Sequence, residues 1–449
     1  MRRIPLIFFS AFLVSNGYAQ VIIQKDPEIE KMVSEINADS LKFCIGKLVS
    51  FGTRHTLSPS TDNKRGISAA RDWVFSRFNE FAKNSHGRMT VERDKWTLPA
   101  DGKRVDTTAY MENVMAILHG TDTDDKRIFI ISGHLDSRIT NVMNRSSDAP
   151  GANDDGSGVS AVMESARIMS NHAFPATIIF VAVCGEEQGL LGSAHLAERA
   201  KIEGWNVEAM LNNDIMGSNH SNGTNIIDNT RVRVFSEGLP AADLEKKAAS
   251  IRQSGLENDG YSRQLARYVK ETGERYVANL EVVMVYRSDR FLRGGDHLPF
   301  SERGFAAVRI TEMNENYNHQ HQDVRTENNI TYGDLPEFMD FEYLRKNTGV
   351  NLATLVNLAK SPPPPKEPKT DVKQLSNLTY LHWKAPATGK IKGYYVLMRE
   401  TTASQWQKKF FTTTTEMNLP YSIDNYFFAV QSVSNDGNES LAQLPSIAR

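Results

Sequence analysis

"RIFIISGHLD", residues 127–136, decides the fold. After one arginine it runs through apolar, largely β-branched residues and then breaks into Gly133, His134 and Asp136. A short apolar run ending in polar residues reads as a strand buried on both faces. Working outward, "GVSAVMESARIMSN" (158–171) reads as a helix that opens at a glycine turn, and "TIIFVAVCGEE" (177–187) as the next strand. "LLGSAHLAERAKIE" (190–203) is a second helix and "VEAMLNNDIM" (207–216) a third strand. This alternation predicts an α/β fold, a mostly parallel mixed sheet sandwiched by helices. "GFAAVRITE" (304–312) supplies a later strand, and a helix from about Asp334 to Lys360 completes the domain. Upstream, residues 26–50 and 62–85 carry helical periodicity, as in Ile67, Ala70, Trp73, Val74, Phe78 and Phe81. Residues 218–290 are less regular and read as an insertion near the site.

The domain so outlined spans residues 26–360 of 449, so a second folded unit is expected. "SPPPPKEPK" (361–369) reads as a stiff proline-rich linker. Beyond it, residues 370–449 change texture to short alternating strands, "LTYLHWKAP", "IKGYYVLMRE" and "YFFAVQSVSNDGNES", the pattern of a small all-β sandwich. The lone Trp383, the paired Tyr394 and Tyr395 and the closing strand and turn resemble a fibronectin type III module. That module would serve as a spacer or bind a surface or protein partner.

Composition excludes several classes. With 40% hydrophobic and 24% charged residues and a net charge of −2, nothing points to a nucleic-acid or membrane-surface partner. "MRRIPLIFFSAFLVSNGYAQ" (1–20) has two arginines, an apolar run from Ile4 to Val14, and small residues at Gly17 and Ala19. This is the shape of a secretory signal peptide cut after Ala19, with an apolar run short of the roughly 20 residues of a membrane span. The protein is therefore expected to be exported, to a secreted or periplasmic location. Cys44 and Cys184 fall in a helix and a strand and read as two separate buried thiols rather than one bridge.

Chemistry is expected where polar residues end the apolar strands, because open parallel sheets bind ligands at the carboxyl ends of their strands. One strand ends in His134 and Asp136, the next in Glu186 and Glu187, the third in Asp214. "GANDDGSG" (151–158) joins the same edge as a loop entering a helix, with Asp154 beside Asp155. Each has a plainer reading: a surface histidine, a solvated pair of glutamates, a helix cap, a turn residue. Coincidence of all of them at one sheet edge is better explained by a cation, and imidazole with carboxylates and no thiol suits zinc.

"SGHLDS", "GANDDGSG", "CGEEQGLLGS" and "NNDIMG" together resemble the four ordered motifs of the co-catalytic di-zinc aminopeptidases. These are secreted exopeptidases related to glutaminyl cyclases and glutamate carboxypeptidases, and the resemblance covers roughly residues 30–360. It implies two zinc ions per chain and peptide substrates. Asp154 would bridge the ions, His134 and Asp214 would complete one set, and Glu187 with a C-terminal histidine the other. Glu186 would be the general base, and Asp136 would accept a hydrogen bond from His134. The last ligand in such proteins is usually followed four residues later by aspartate. In "NYNHQHQDVR" (316–325) that spacing favours His319, four before Asp323, with His321 as the alternative after a small loop deletion. "GGDHLPF" (294–300) resembles a segment lining such sites, so Asp296 and His297 are expected to line rather than ligate.

The expected activity is removal of N-terminal residues from peptides through a water acidified between the two ions. A glutaminyl cyclase or metallocarboxypeptidase on the same fold is the first alternative, and a non-catalytic binding module the second. The motif positions all carry competent residues, which weighs against the last.

Overall fold

The structure, a computed structural model, describes residues 21, 23–59, 63–240, 242, 244–373 and 376–448. The expected signal peptide lies outside them. An eight-stranded mixed sheet forms the centre: β1 (Met89–Leu98), β2 (Ala109–Leu118), β3 (Arg127–His134), β4 (Thr177–Val183), β5 (Asn206–Asn213), β6 (Arg231–Phe235), β7 (Glu281–Val285) and β8 (Ala307–Glu312). Their spatial order is β1-β2-β4-β3-β5-β8-β6-β7. β4, β3, β5 and β8 are mutually parallel neighbours, whereas β2 on one side and β6 on the other pair antiparallel to them.

Pleating sends alternate residues to opposite faces, and both faces are dry. Phe129 and Ile131 of β3 join Phe180 of β4 and Leu211 of β5 in one core. Ile130, Ile179 and Met210, the residues between, join the other. The first core is closed by α1 (Pro27–Ser34), α2 (Ala38–Val49), α3 (Gly66–Lys83) and α4 (Gly156–Met169). The second is closed by α5 (Leu191–Ile202). Then follow α6 (Leu244–Ser254), α7 (Tyr261–Tyr276), α8 (Leu298–Glu302) and α9 (Phe341–Lys360). Phe300 of α8 joins the second core, and α7 and α9 return to the first.

α4 lies unusually close to the sheet because two glycines let it. A Cβ at Gly133 would sit 2.5 Å from the Gly158 carbonyl carbon, and one at Gly158 2.4 Å from the Asn213 carbonyl oxygen. The start of α4 is thereby pressed against the ends of β3 and β5.

Three expectations need correction. Residues 218–290 are not an irregular insertion but supply β6, α6, α7 and β7, which extend the sheet to its edge. The helix expected from Asp334 begins at Phe341, since Asp340 caps it by accepting the Tyr343 amide. The linker is shorter than 361–369, because Lys366–Asp371 is already a strand.

After a hairpin of β9 (Arg325–Glu327) and β10 (Ile330–Tyr332) and the helix α9, the chain forms two small sheets. One contains β11 (Lys366–Asp371), β12 (Thr379–Lys384), β15 (Glu416–Leu419) and β17 (Ser446–Ala448). The other contains β13 (Gly393–Glu400), β14 (Lys408–Thr412) and β16 (Tyr426–Val433). Leu381, Trp383 and Leu419 of the first meet Val396, Phe410 and Val430 of the second in a shared core. This sandwich is fastened to α7 and α9 by buried polar groups. Glu439 accepts from both Nη atoms of Arg275, at 3.0 and 2.9 Å, and from Asn357 Nδ2 at 3.0 Å. Arg399 Nη2 donates to Asp259 Oδ2 at 2.6 Å, and Tyr268 Oη to the Glu439 carbonyl at 2.6 Å.

Cys44 and Cys184 are free and buried, and burial pushes each thiol up to about 12. Among the described residues no helix is long and apolar enough to cross a membrane.

Candidate metal centre

At the carboxyl edge of the parallel strands, five side chains converge. His134 ends β3, Glu187 follows β4, Asp214 follows β5, Asp154 immediately precedes the cap of α4, and His321 comes from the loop after β8. Two groups form: His134, Asp154 and Asp214, and Asp154, Glu187 and His321, with ligand atoms in each within 4.8 Å of one another. Asp154 belongs to both. Its Oδ1 lies 3.1 Å from His134 Nε2 and its Oδ2 2.7 Å from His321 Nε2. His134 Nε2 is 3.7 Å from Asp214 Oδ1, and His321 Nε2 is 2.9 Å from Glu187 Oε1.

Hydrogen bonding does not account for this crowding. His134 Nε2, Asp214 Oδ1 and Glu187 Oε1 are buried without a hydrogen-bond partner among the described residues. Orphaned polar atoms are costly in an interior, and these three are the atoms that would ligate. The groups therefore fit a pair of divalent cations sharing Asp154, and imidazole with carboxylate suits zinc.

The two adjacent aspartates part company, across a cis peptide bond. Asp155 faces the scaffold: its Oδ1 accepts the Gly158 amide at 2.8 Å and caps α4, while its Oδ2 accepts the His134 amide at 2.9 Å. Burial, then the charges of Asp214 and Asp154, push its carboxyl well above the usual range. For Asp154 the burial penalty is outweighed by His321 and His134, which hold it well below that range. Glu186 stands half-buried on the cleft wall, its carboxyl pushed well up by burial and by the neighbouring Glu187 and Asp214 charges.

Two site expectations change. Asp136 does not present its carboxylate to His134. The His134 Nδ1–H donates instead to the backbone carbonyl of Asp136 at 3.1 Å, with the nearer carboxylate oxygen 3.9 Å away. That carboxylate accepts the amides of Glu186 and Glu187 at 3.2 and 3.0 Å and the Thr56 hydroxyl at 3.1 Å. It thus fixes the turn that carries the two glutamates. The spacing to Asp323 favours the wrong histidine. His319 lies outside both groups, its ring stacked on Phe338 at 3.6 Å, and burial lowers it to about 4. The chain turns over Asn316, whose carbonyl accepts the His319 and Gln320 amides, and His321 emerges with φ of 55° toward the carboxylates. Asp296 and His297 are buried, and His297 Nε2 donates to the Ser288 carbonyl at 2.6 Å.

Several positioning residues escaped the sequence reading. Asp334 accepts the amides of Asn153 and Asp154 at 2.8 and 2.7 Å. Arg54 is fully buried and donates to the carbonyls of Leu135, Pro150 and Gly151, clamping both ends of the site loop. Arg309 Nη2 sits 3.0 Å from Asp214 Oδ2. None belongs to a strand-end motif. The signal for Arg309 is only an arginine in the middle of an apolar strand.

The centre opens into a cleft of about 440 Å³ whose wall includes Glu186, Arg104, Arg138, Arg290 and Arg293. A cation-fitting edge of this kind on a helix-covered mixed sheet is a setting suited to a metal-dependent enzyme. The comparisons agree. Residues 113–341 match peptidase family M28. A probable zinc metalloprotease of Leptosphaeria maculans is 44% identical over 421 residues, 94% of this chain and 97% of that protein. One of Pyrenophora tritici-repentis is 43% identical over 440 residues, 97% and 90% of the two chains. The chain belongs to peptidase family M28. Among solved structures, the LapA aminopeptidase of Legionella pneumophila aligns at a TM-score of 0.53, with 20% identity over 78% of each chain. The aminopeptidase from Aneurinibacillus sp. strain AM-1 aligns at 0.51, with 14% identity over 73% of this chain and 95% of that one. Both show the shared fold.

Proposed function

We propose that the protein is an exported exopeptidase that holds two zinc ions and removes N-terminal residues from peptides. The observation that carries the reading is Asp154, with one carboxylate oxygen facing each histidine of two separate ligand groups. When bound, a pair of zinc ions would acidify water and polarise the scissile carbonyl. His134 and Asp214 would hold one ion, Glu187 and His321 the other, and Asp154 both. His134 is oriented for this by the Asp136 carbonyl, which accepts the hydrogen bond from Nδ1–H and leaves Nε2 free to ligate. Glu186 adjoins both groups, lines the cleft and joins neither group, the position of a general base that receives a proton and returns it to the leaving amine.

His321→Ala is expected to lower the zinc content by one ion per chain, with His319→Ala leaving it unchanged; elemental analysis of the purified variants reads this directly. Unequal loss in the opposite sense would reassign the ligand. A peptide-library digest followed by mass spectrometry tests the activity. Stepwise trimming from N-termini is expected, while pyroglutamate formation would mark a cyclase. Trimming from C-termini would mark the carboxypeptidase reading, which the arginines on the cleft wall favour. Sequencing of the exported protein is expected to begin at Gln20.

A further inference from the structure

The charges on the cleft wall are unevenly committed. Its acidic side chains are Asp154, Glu187 and Asp214, all in the two ligand groups, and Glu186, assigned above as the base. Among the described lining residues no acid is left over to receive an incoming ammonium. The arginines differ. Arg138 is spent on the centre, donating from Nε to Glu187 Oε2 at 2.8 Å and lying with Nη2 2.6 Å from His321 Nδ1. Arg104 donates from Nη1 to the Glu187 carbonyl at 2.8 Å. Arg290 is a built group, its side chain only 10% exposed. Its Nη1 donates to Glu315 Oε2 at 2.8 Å and its Nε to Asp289 Oδ1 at 3.2 Å, while Nη2 donates to no acceptor among the described residues. Arg293, three residues on, is exposed and makes one long bond, from Nη1 to Gln320 Oε1 at 3.4 Å.

A guanidinium held by two carboxylates through Nη1 and Nε, with Nη2 left for a further acceptor, is preorganised for an anion, since little side-chain freedom remains to be lost on binding. We infer that the cleft selects peptides carrying a carboxylate close to the cleaved bond, received by Arg290 and covered by Arg293. The inference rests on the exopeptidase reading of this cleft. The carboxylate has two possible sources with one chemistry, an acidic side chain or the free C-terminus of a short peptide.

The test is kcat/KM of the zinc-loaded protein on matched pairs. Ala-Ala against Ala-Ala-amide reads the C-terminus; Ala-Glu-amide against Ala-Gln-amide and Glu-Ala-amide against Gln-Ala-amide read the side chain. In at least one pair the acid is expected to lead by about tenfold or more, the scale of one charge-assisted hydrogen bond. That ratio is expected to fall toward one in Arg290→Met and to shrink in Arg293→Met. If Arg290→Met does not fold, having stranded Asp289 and Glu315, the exposed Arg293→Met decides alone. Acid and neutral partners cleaved equally, or a ratio unmoved by the substitutions, would overturn the inference and leave the peptidase standing. No hydrolysis of any peptide would overturn both.

Discussion

Replacing Glu186 by Gln is expected to lower kcat by about 10²–10⁴-fold, the usual contribution of a positioned general base, without changing the zinc content. The two halves of that result come from different atoms. Glu186 adjoins the ligand groups but is a member of neither, so the ligating set survives the change. Its neighbour Glu187 is held separately, by Arg138 on Oε2 and by its own amide on Asp136. Steady-state kinetics beside elemental analysis would read both halves. If Glu186→Gln lost zinc as well, Glu186 would be a ligand and the assignment of the base would fail. If it kept full activity, the proton would have to travel by another group.

Asp154→Asn is expected to have the larger effect on the ions. One residue serves both groups, so the neutral amide weakens two sites together. Zinc should fall below one ion per chain and peptide hydrolysis should become undetectable. Without a cation Asp154 is the charge partner of His134 and His321, which hold its carboxyl well below the usual range, so losing that charge is expected to lower metal-free stability as well. Zinc added at about 100 times its dissociation constant should stabilise the wild type by roughly 2.7 kcal/mol per site. Thermal unfolding of Asp154→Asn should show little of this. A wild-type zinc shift retained by the variant would refute the bridging role.

The parts of the centre legible in the sequence are those that sit on strand ends. β3, β4 and β5 are continuous apolar runs because both faces of the sheet are covered, so His134, Glu186, Glu187 and Asp214 stand out as abrupt polar stops. Asp154 was legible for a related reason, as an acid between glycines that admit the close approach of α4. His321 was not, because its loop is set by Asn316 carbonyl bonds and a left-handed residue rather than by spacing. The role of Asp136 was half legible, since a sequence cannot say whether a carboxylate or its own backbone carbonyl faces a neighbour. The region 218–290 was missed because α7 hides its pattern. Arg263, Gln264 and Arg267 are buried there among partners from distant segments, so a packed helix face reads as polar.

The fastening of the C-terminal sandwich makes the protein one cooperative body rather than an enzyme with a tethered passenger. Cutting the chain after Lys360 would leave Arg275, Tyr268 and Asp259 facing solvent or voids where Glu439 and Arg399 now answer them. Stranding a charge of a buried pair costs about 3–5 kcal/mol, a large fraction of the stability of any domain. Calorimetry of the whole chain should therefore record a single endotherm, and the shortened enzyme should melt earlier or fail to accumulate at all.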